Sequence, residues 1–287
     1  MLGVRAQNSH FYWNIASVRA VIPGIVKDEE LLQPLEAALK RYPADSWELV
    51  VGTASGSDFA AQTVEVQTAA GGAQTLHYDE LVLATGSRSH SDDVPWKSVG
   101  TYETTVEVLH GTAERIAAAS HIVVAGGGAT GIEAAGELGF EFGKAKEIVL
   151  LSAGPTLLGG DAIAANAASE LKKLNVAVRY GAYVESTRAL ESGKLELVLK
   201  GGETITTDLY LPTHGLLPNS EYVDAKYLDS HRNVVVDEFY RVKGAEHVWA
   251  AGDIVGKPRA GFMITQKQVR SSPSLPFLSQ VPPWSDY

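Results

Sequence analysis

Five apolar runs set the rhythm of this chain: LVLATG (81–86), HIVVA (121–125), EIVLL (147–151), LYLP within 207–219, and HVWAA (247–251). The first and fourth carry no polar alternation, the pattern of a strand covered on both faces, as in a parallel sheet under helices. Around them the period changes. Residues 47–78 alternate as short strands at Glu48–Gly52, Thr63–Gln67 and Thr75–Tyr78, broken by Ser-Gly-Ser and Gly-Gly turns, which predicts a β-meander. Helical spacing recurs from Pro34 with Leu35, Ala38 and Leu39, over 105–118, over Ile132, Ala135, Leu138 and Phe142, and over Ile163, Ala167, Leu171 and Leu174. In the third of these, Ala134 and Gly136 are expected to keep the helix thin where it crosses the sheet. Short strands are expected at Val176–Arg179, Leu195–Leu199, Glu203–Thr206 and Val234–Val236, and a helix from about Ile264. Ser87–Pro95 reads as a polar linker. The Ser/Pro-rich segment 271–287 reads as a disordered tail.

The chemistry concentrates at one junction. The run 121–125 meets Gly126, Gly127 and Gly128, then Gly131, at G-x-G-x-x-G spacing, and a small-residue helix leads on to 147–151. That strand, glycine turn, helix and strand make a βαβ unit of dinucleotide-binding type. Gly126 permits the tight turn, Gly128 lets a pyrophosphate approach the backbone, and Gly131 lets helix and strand pack closely. The anion would rest on the free N–H groups and positive end of a helix beginning near Ala129. The α/β architecture also marks the C-terminal ends of the other buried strands, so Thr85 and Gly86 border a site. Gly252-Asp253 ends the run 247–251, and Asp253 is either a helix cap or an acceptor for a ribose or ribityl hydroxyl.

Composition narrows the choices. A formal net charge of -10 with no basic run speaks against a nucleic-acid partner. These residues include no cysteine, which excludes thiolate metal sites and a redox-active dithiol. The histidines show no metal-ligand spacing. No apolar run reaches the roughly 18 residues of a membrane span. The aromatic cluster Phe11-Tyr12-Trp13 arrives before any expected strand, so the reading is that a further segment normally precedes it.

Taken together, YDELVLATGS (78–87), PWK (95–97), GGGATGIEAAGEL (126–138), TDLYLPTHGLLPN (207–219) and VWAAGD (248–253) stand in the order seen in two-dinucleotide flavoproteins. The chain resembles the apoptosis-inducing-factor-like subgroup of the pyridine nucleotide-disulfide oxidoreductases, which includes ferroptosis suppressor protein, over about residues 10–269. The resemblance implies two Rossmann-like domains of α/β class. An NAD(P)H domain (100–207) would be inserted into an FAD domain made of 1–99 and 208–270. It further implies that Arg19 touches FAD, that the Val50 backbone meets the adenine, that Thr85 and Gly86 lie beside the flavin, and that Asp253, with Gly252, holds the ribityl or pyrophosphate region. Glu133 would belong to the nicotinamide site; its bland alternative is stabilisation of the helix dipole.

The activity so implied passes a hydride from NAD(P)H to FAD and electrons onward to a small quinone-like acceptor. The family pattern adds an earlier strand with its own glycine motif and a further small domain that often completes a homodimer. This chain is therefore expected to be shortened at both ends. The alternative reading is a non-catalytic fragment that binds NAD(P)H without FAD. Peripheral membrane contact and a cytoplasmic or mitochondrion-associated location both stay open. Leu150-Leu151-Ser152-Ala153-Gly154 holds neither an acid for a ribose 2′-hydroxyl nor an arginine for a 2′-phosphate, so NADH and NADPH are not separated. His214 stands either as a proton donor or as an ordinary turn histidine.

Overall fold

A computed structural model describes residues 1–256 together with Thr265. The helix expected from Ile264 and the tail 271–287 lie outside the described residues. The chain divides into two compact units, one of Met1–Asn8, Leu39–Arg88 and Leu216 onward, the other of Ser9–Ala38 and Ser89–Gly215. Among the described residues no helix is long and apolar enough to cross a membrane.

The second unit is built on four parallel strands in the order Val176–Tyr180, Glu147–Ser152, His121–Ala125, Leu209–Pro212. Both faces are covered, which is why the central runs are apolar throughout. Ile122, Val124, Ile148 and Leu150 face a core closed by Leu109 and Ile116 of helix Tyr102–Ala118, by Ala134, Ala135 and Leu138 of helix Ala129–Phe142, and by Leu171 of helix Ala164–Lys173. Val123, Ala125, Val149 and Leu151 face Leu197 and Leu199 of a three-stranded antiparallel sheet, Val184–Ala189, Leu195–Leu199 and Thr204–Thr207. The strand Val184–Ala189 is absent from the sequence expectation because five of its six residues are exposed, so it carries no apolar alternation.

Several expectations need correction here. Strand Leu209–Pro212 does not open the outer domain; it pairs in register with Ile122–Ala125 and extends this parallel sheet. This unit therefore runs to Gly215 rather than ending at 207. Residues 9–38 also join it, because Tyr12, Val21, Ile22, Leu31 and Leu32 are buried in the same core. The Tyr12 hydroxyl donates to the Pro95 carbonyl at 2.6 Å, and the Trp96 indole N–H donates to the Pro212 carbonyl at 2.8 Å. The segment 87–95 is thus anchored, not a simple linker, with Ser87–Arg88 paired to Leu217–Pro218 in the first unit. Ile163 does not share the stripe of Leu171; it precedes its helix and is exposed. Pro34 ends the short strand Leu32–Pro34, and the helix that follows covers only Leu35–Leu39.

The first unit holds the expected meander, Trp47–Asp58, Thr63–Thr68 and Ala73–His77, and adds a strand that was not expected, Leu2–Ala6, parallel to Trp47–Val51. Gly52 stands where the long strand changes from parallel to antiparallel pairing, and a β-carbon there would lie 2.5 Å from the Gln67 carbonyl oxygen. Strand Leu81–Leu83 pairs in parallel with Val248–Ala250 over a core of Phe59, Tyr222, Val234, Val242 and Ile254. Val234 and Val236 make isolated bridges rather than the expected strand.

Beyond the first turn of helix Ala129–Phe142, the glycine that the packing requires is Gly139, not Gly136. A β-carbon at 139 would lie 2.7 Å from Val176 Cγ2 and 2.9 Å from the Leu174 carbonyl, whereas at 136 it would meet only Leu171 at 3.9 Å. We predict that Gly139→Ala lowers stability by about 1–3 kcal/mol through overpacking. Gly136→Ala should be neutral or stabilising by up to about 1 kcal/mol, because it gains helix propensity without a clash. Urea titration of both variants checks the contrast.

Asp208 yields a pH prediction. Its carboxylate accepts from Lys194 and from the His121 and Ser120 backbone N–H groups, and these hold its pKa down to about 2. A depressed carboxylate contributes stability that is complete above the ordinary carboxylate range and is lost as pH falls toward about 2. Asp208→Asn should therefore flatten the acid limb of a stability-versus-pH curve.

Candidate functional site

The turn after strand His121–Ala125 is held by close approaches that only glycine permits. Gly126 has φ +137°, and a β-carbon there would overlap the Thr213 hydroxyl oxygen. A β-carbon on Gly131 would overlap the Gly126 carbonyl oxygen and come within 2.7 Å of Thr213 Oγ1. A β-carbon on Gly127 would overlap the Ser152 hydroxyl, and the Gly127 carbonyl accepts from the Leu158 N–H at 2.8 Å. Gly128 is different. It is the N-cap of helix Ala129–Phe142, its conformation suits any residue, and a β-carbon there would meet nothing within 4 Å.

The N-terminus of that helix has no side-chain cap and no acidic residue in its first turn. Among the described residues, then, no side chain competes for its leading N–H groups, and the helix dipole gives this end the electrostatics of an anion site. Thr213 is a residue that sequence reasoning passed over. Its N–H and hydroxyl both donate to the Ala125 carbonyl, at 2.8 and 3.0 Å, fixing the strand end beneath the glycine turn. The signal was its position directly after an apolar run, which became informative only once that run paired with 121–125.

Further along the helix, Glu133 has its carboxyl pKa raised, first by desolvation and then by Glu137 one turn on. Arg19, on the short helix Ser17–Ala20, donates to Glu137. The structure thus gathers Arg19, Glu133 and Glu137 in the unit of the glycine turn. His214 lies just past strand Leu209–Pro212, with Nε2 3.4 Å from the Tyr210 hydroxyl. Burial, then nearby His90, holds its pKa below the usual histidine value.

In the first unit the ends of two parallel strands converge. Thr85 donates through its hydroxyl to the Asn219 carbonyl at 2.7 Å, and the Asn219 side-chain amide donates back to the Thr85 carbonyl at 2.8 Å. The Asn219 N–H bonds the Gly86 carbonyl at 2.9 Å. The Ser87 hydroxyl donates to Asp253 at 3.0 Å. Gly86 and Gly252 have φ of +70° and +79°, and no atom crowds the missing side chain of Gly86. Thr85, Gly86, Gly252 and Asp253 therefore belong to one cluster, with Asn219 as the member that sequence reasoning did not single out. Val50 lies apart from that hydrogen-bonded set, on strand Trp47–Asp58 opposite Arg5.

Comparison with known proteins gives a consistent result. The profile of the pyridine nucleotide-disulphide oxidoreductases matches residues 2–271. The oxidoreductase ptaL of Pestalotiopsis fici is 42% identical over 265 residues, covering 92% of this chain and 71% of that protein. The oxidoreductase phnG of Penicillium herquei is 27% identical over 264 residues, covering 83% of this chain and 63% of that protein. Among solved structures, the sulfide:quinone oxidoreductase of Aquifex aeolicus shares the fold with a TM-score of 0.74 at 18% identity, over 96% of this chain and 70% of that one. The chain belongs to the pyridine nucleotide-disulphide oxidoreductase family, whose members bind FAD and NAD(P)H.

Proposed function

We propose that this chain acts as an FAD-dependent NAD(P)H oxidoreductase of the apoptosis-inducing-factor-like type, with a small quinone-like molecule as electron acceptor. When bound, the two cofactors would supply the redox chemistry, hydride transfer from a nicotinamide and onward electron transfer from a flavin. The chain's own part is to bind and orient. The observation that carries this reading is the uncapped N-terminus of helix Ala129–Phe142, with open space at Gly128. That geometry fits a pyrophosphate, which would accept from the leading N–H groups while Gly126, Gly127 and Gly131 hold the turn.

Glu133, close to that terminus, would point toward the ribose or nicotinamide, and the ion pair of Arg19 with Glu137, one turn on, keeps Arg19 in the same neighbourhood. In the other unit, Asp253 and the Thr85-Gly86 corner would receive FAD, the open side of Gly86 admitting the ring system and Asp253 accepting from a sugar or ribityl hydroxyl. The Val50 backbone would meet the adenine. The similarity in fold to a sulfide:quinone oxidoreductase supports a quinone as the first acceptor to try. With no cysteine in these residues, the disulphide chemistry of the family name has no dithiol to use.

A second reading is favoured by one observation: the glycine turn and the core around it form a compact unit of their own. That unit would bind NAD(P)H even where FAD is not retained.

The visible spectrum of the purified chain with added FAD, followed anaerobically on addition of NADH or NADPH, tests the proposal. A flavin band that bleaches supports it. A colourless chain that still binds NAD(P)H supports the second reading, and failure to bind either nucleotide overturns both. Gly128→Ala gives a sharper check. It should leave stability within about 0.5 kcal/mol, as surface changes usually do. It should also weaken NAD(P)H binding at least tenfold, about 1.4 kcal/mol, by filling the space the pyrophosphate needs.

A further inference from the structure

In a βαβ unit of this kind the adenosine ribose lies near the C-terminal end of the second strand. There a carboxylate grips the 2′-hydroxyl of NAD, or an arginine takes the 2′-phosphate of NADP. Here that strand is Glu147–Ser152, and it runs out into Ser152-Ala153-Gly154-Pro155-Thr156, none of them charged. Ser152 is only 2% exposed, and its hydroxyl lies 3.3 Å from the Gly154 carbonyl and 3.2 Å from the Thr156 carbonyl, turned into its own loop. The loop is clamped from the next strand's end, where the Gly181 and Ala182 N–H groups donate to the Gly154 and Ser152 carbonyls at 3.2 and 2.9 Å. The cation nearest along that neighbouring strand is Arg179, opposite Leu151, and its guanidinium donates to both oxygens of Glu203 at 2.8 and 2.9 Å. Each source of discrimination is thus neutral or already engaged.

We infer that this subsite does not read the 2′ position, so that the chain accepts NADH and NADPH with comparable affinity. The inference rests on the nucleotide reading above and names the ligand class more closely. Specificity is a difference of affinities, and it needs either an added attraction for one ligand or a repulsion against the other. A carboxylate would supply both, accepting from the hydroxyl and repelling the phosphate; a guanidinium would supply a charge-assisted fork for the phosphate. The Ser-Ala-Gly rim supplies neither, and its exposed Ala153 presents too little bulk to exclude a phosphate.

The test is titration of the full 287-residue chain with NADH and with NADPH, followed by nucleotide fluorescence. The expected result is two dissociation constants less than about tenfold apart, since no hydrogen-bonding group is built to reject either ligand. Because Ala153 is exposed, charge can be placed there without disturbing the core. Ala153→Arg should tighten NADPH at least tenfold and leave NADH unchanged, and Ala153→Asp should weaken NADPH by a similar factor. A preference above tenfold in the unaltered chain overturns the inference while leaving the nucleotide reading intact. If that preference is for NADPH and Arg179→Ala abolishes it, Arg179 is the phosphate reader. If charge at position 153 moves neither affinity, the subsite is not at this loop and the inference fails. If neither nucleotide binds, the underlying reading fails with it.

Discussion

The carbonyl oxygen of Gly126 occupies the space a β-carbon on residue 131 would need, and the nucleotide unit is arranged around that single approach. Because residue 131 has no side chain, the helix can begin directly over the strand end, with Thr213 filling the space beneath. Gly139 repeats the device at the far end of the same face, against Leu174 and Val176. Two contact points about 12 Å apart along the helix fix its axis over the sheet. Ala134, Ala135 and Leu138, between them, are buried as a result. Among the described residues no side chain caps the leading N–H groups of the helix, and the space beside Gly128 is open.

Much of this was legible in the residues, and the limits have physical causes. The βαβ unit was readable because apolar runs, glycine spacing and helical periodicity all agree over 121–151. The meander was readable because its strands alternate and are separated by glycine turns. Leu209–Pro212 was recognised as a buried strand, but its sheet was misassigned, because an unalternated run shows that both faces are covered without showing by what. Gly136 was named and Gly139 passed over for a similar reason: periodicity places both on a helix, while only the neighbouring strand's Val176 decides which face must be thin. The strand Leu2–Ala6 was missed because its burial is slight and its partner lies more than 40 residues away in sequence.

The candidate site residues were partly legible in the same sense. Thr85, Gly86, Gly252 and Asp253 were marked from the ends of two separate apolar runs, and the structure brings those ends together through Asn219 and Ser87. Arg19 was assigned by resemblance alone. Its ion pair with Glu137 places it beside the glycine-turn helix, a relation that no local pattern announces. Side-chain partners of this kind depend on which helices pack together, and the short helix Ser17–Ala20 carries too few residues to show its own periodicity.

The division of the chain bears on how it folds. Neither compact unit is contiguous: one takes residues 9–38 and 89–215, and the other is interrupted twice before its last segment begins at Leu216. During synthesis the glycine-turn unit has all its parts once Gly215 has emerged. Strand Leu81–Leu83, by then long since synthesised, still lacks its partner Val248–Ala250, which lies more than 160 residues beyond it in sequence. Parallel pairing across so long a separation carries a large loop-closure cost and is slow. The order of emergence therefore favours a nascent chain in which the nucleotide unit is formed while an apolar strand of the other unit still lacks its mate. That interval is when the chain is most exposed to aggregation, and an early ligand of the finished unit would act as a folding aid.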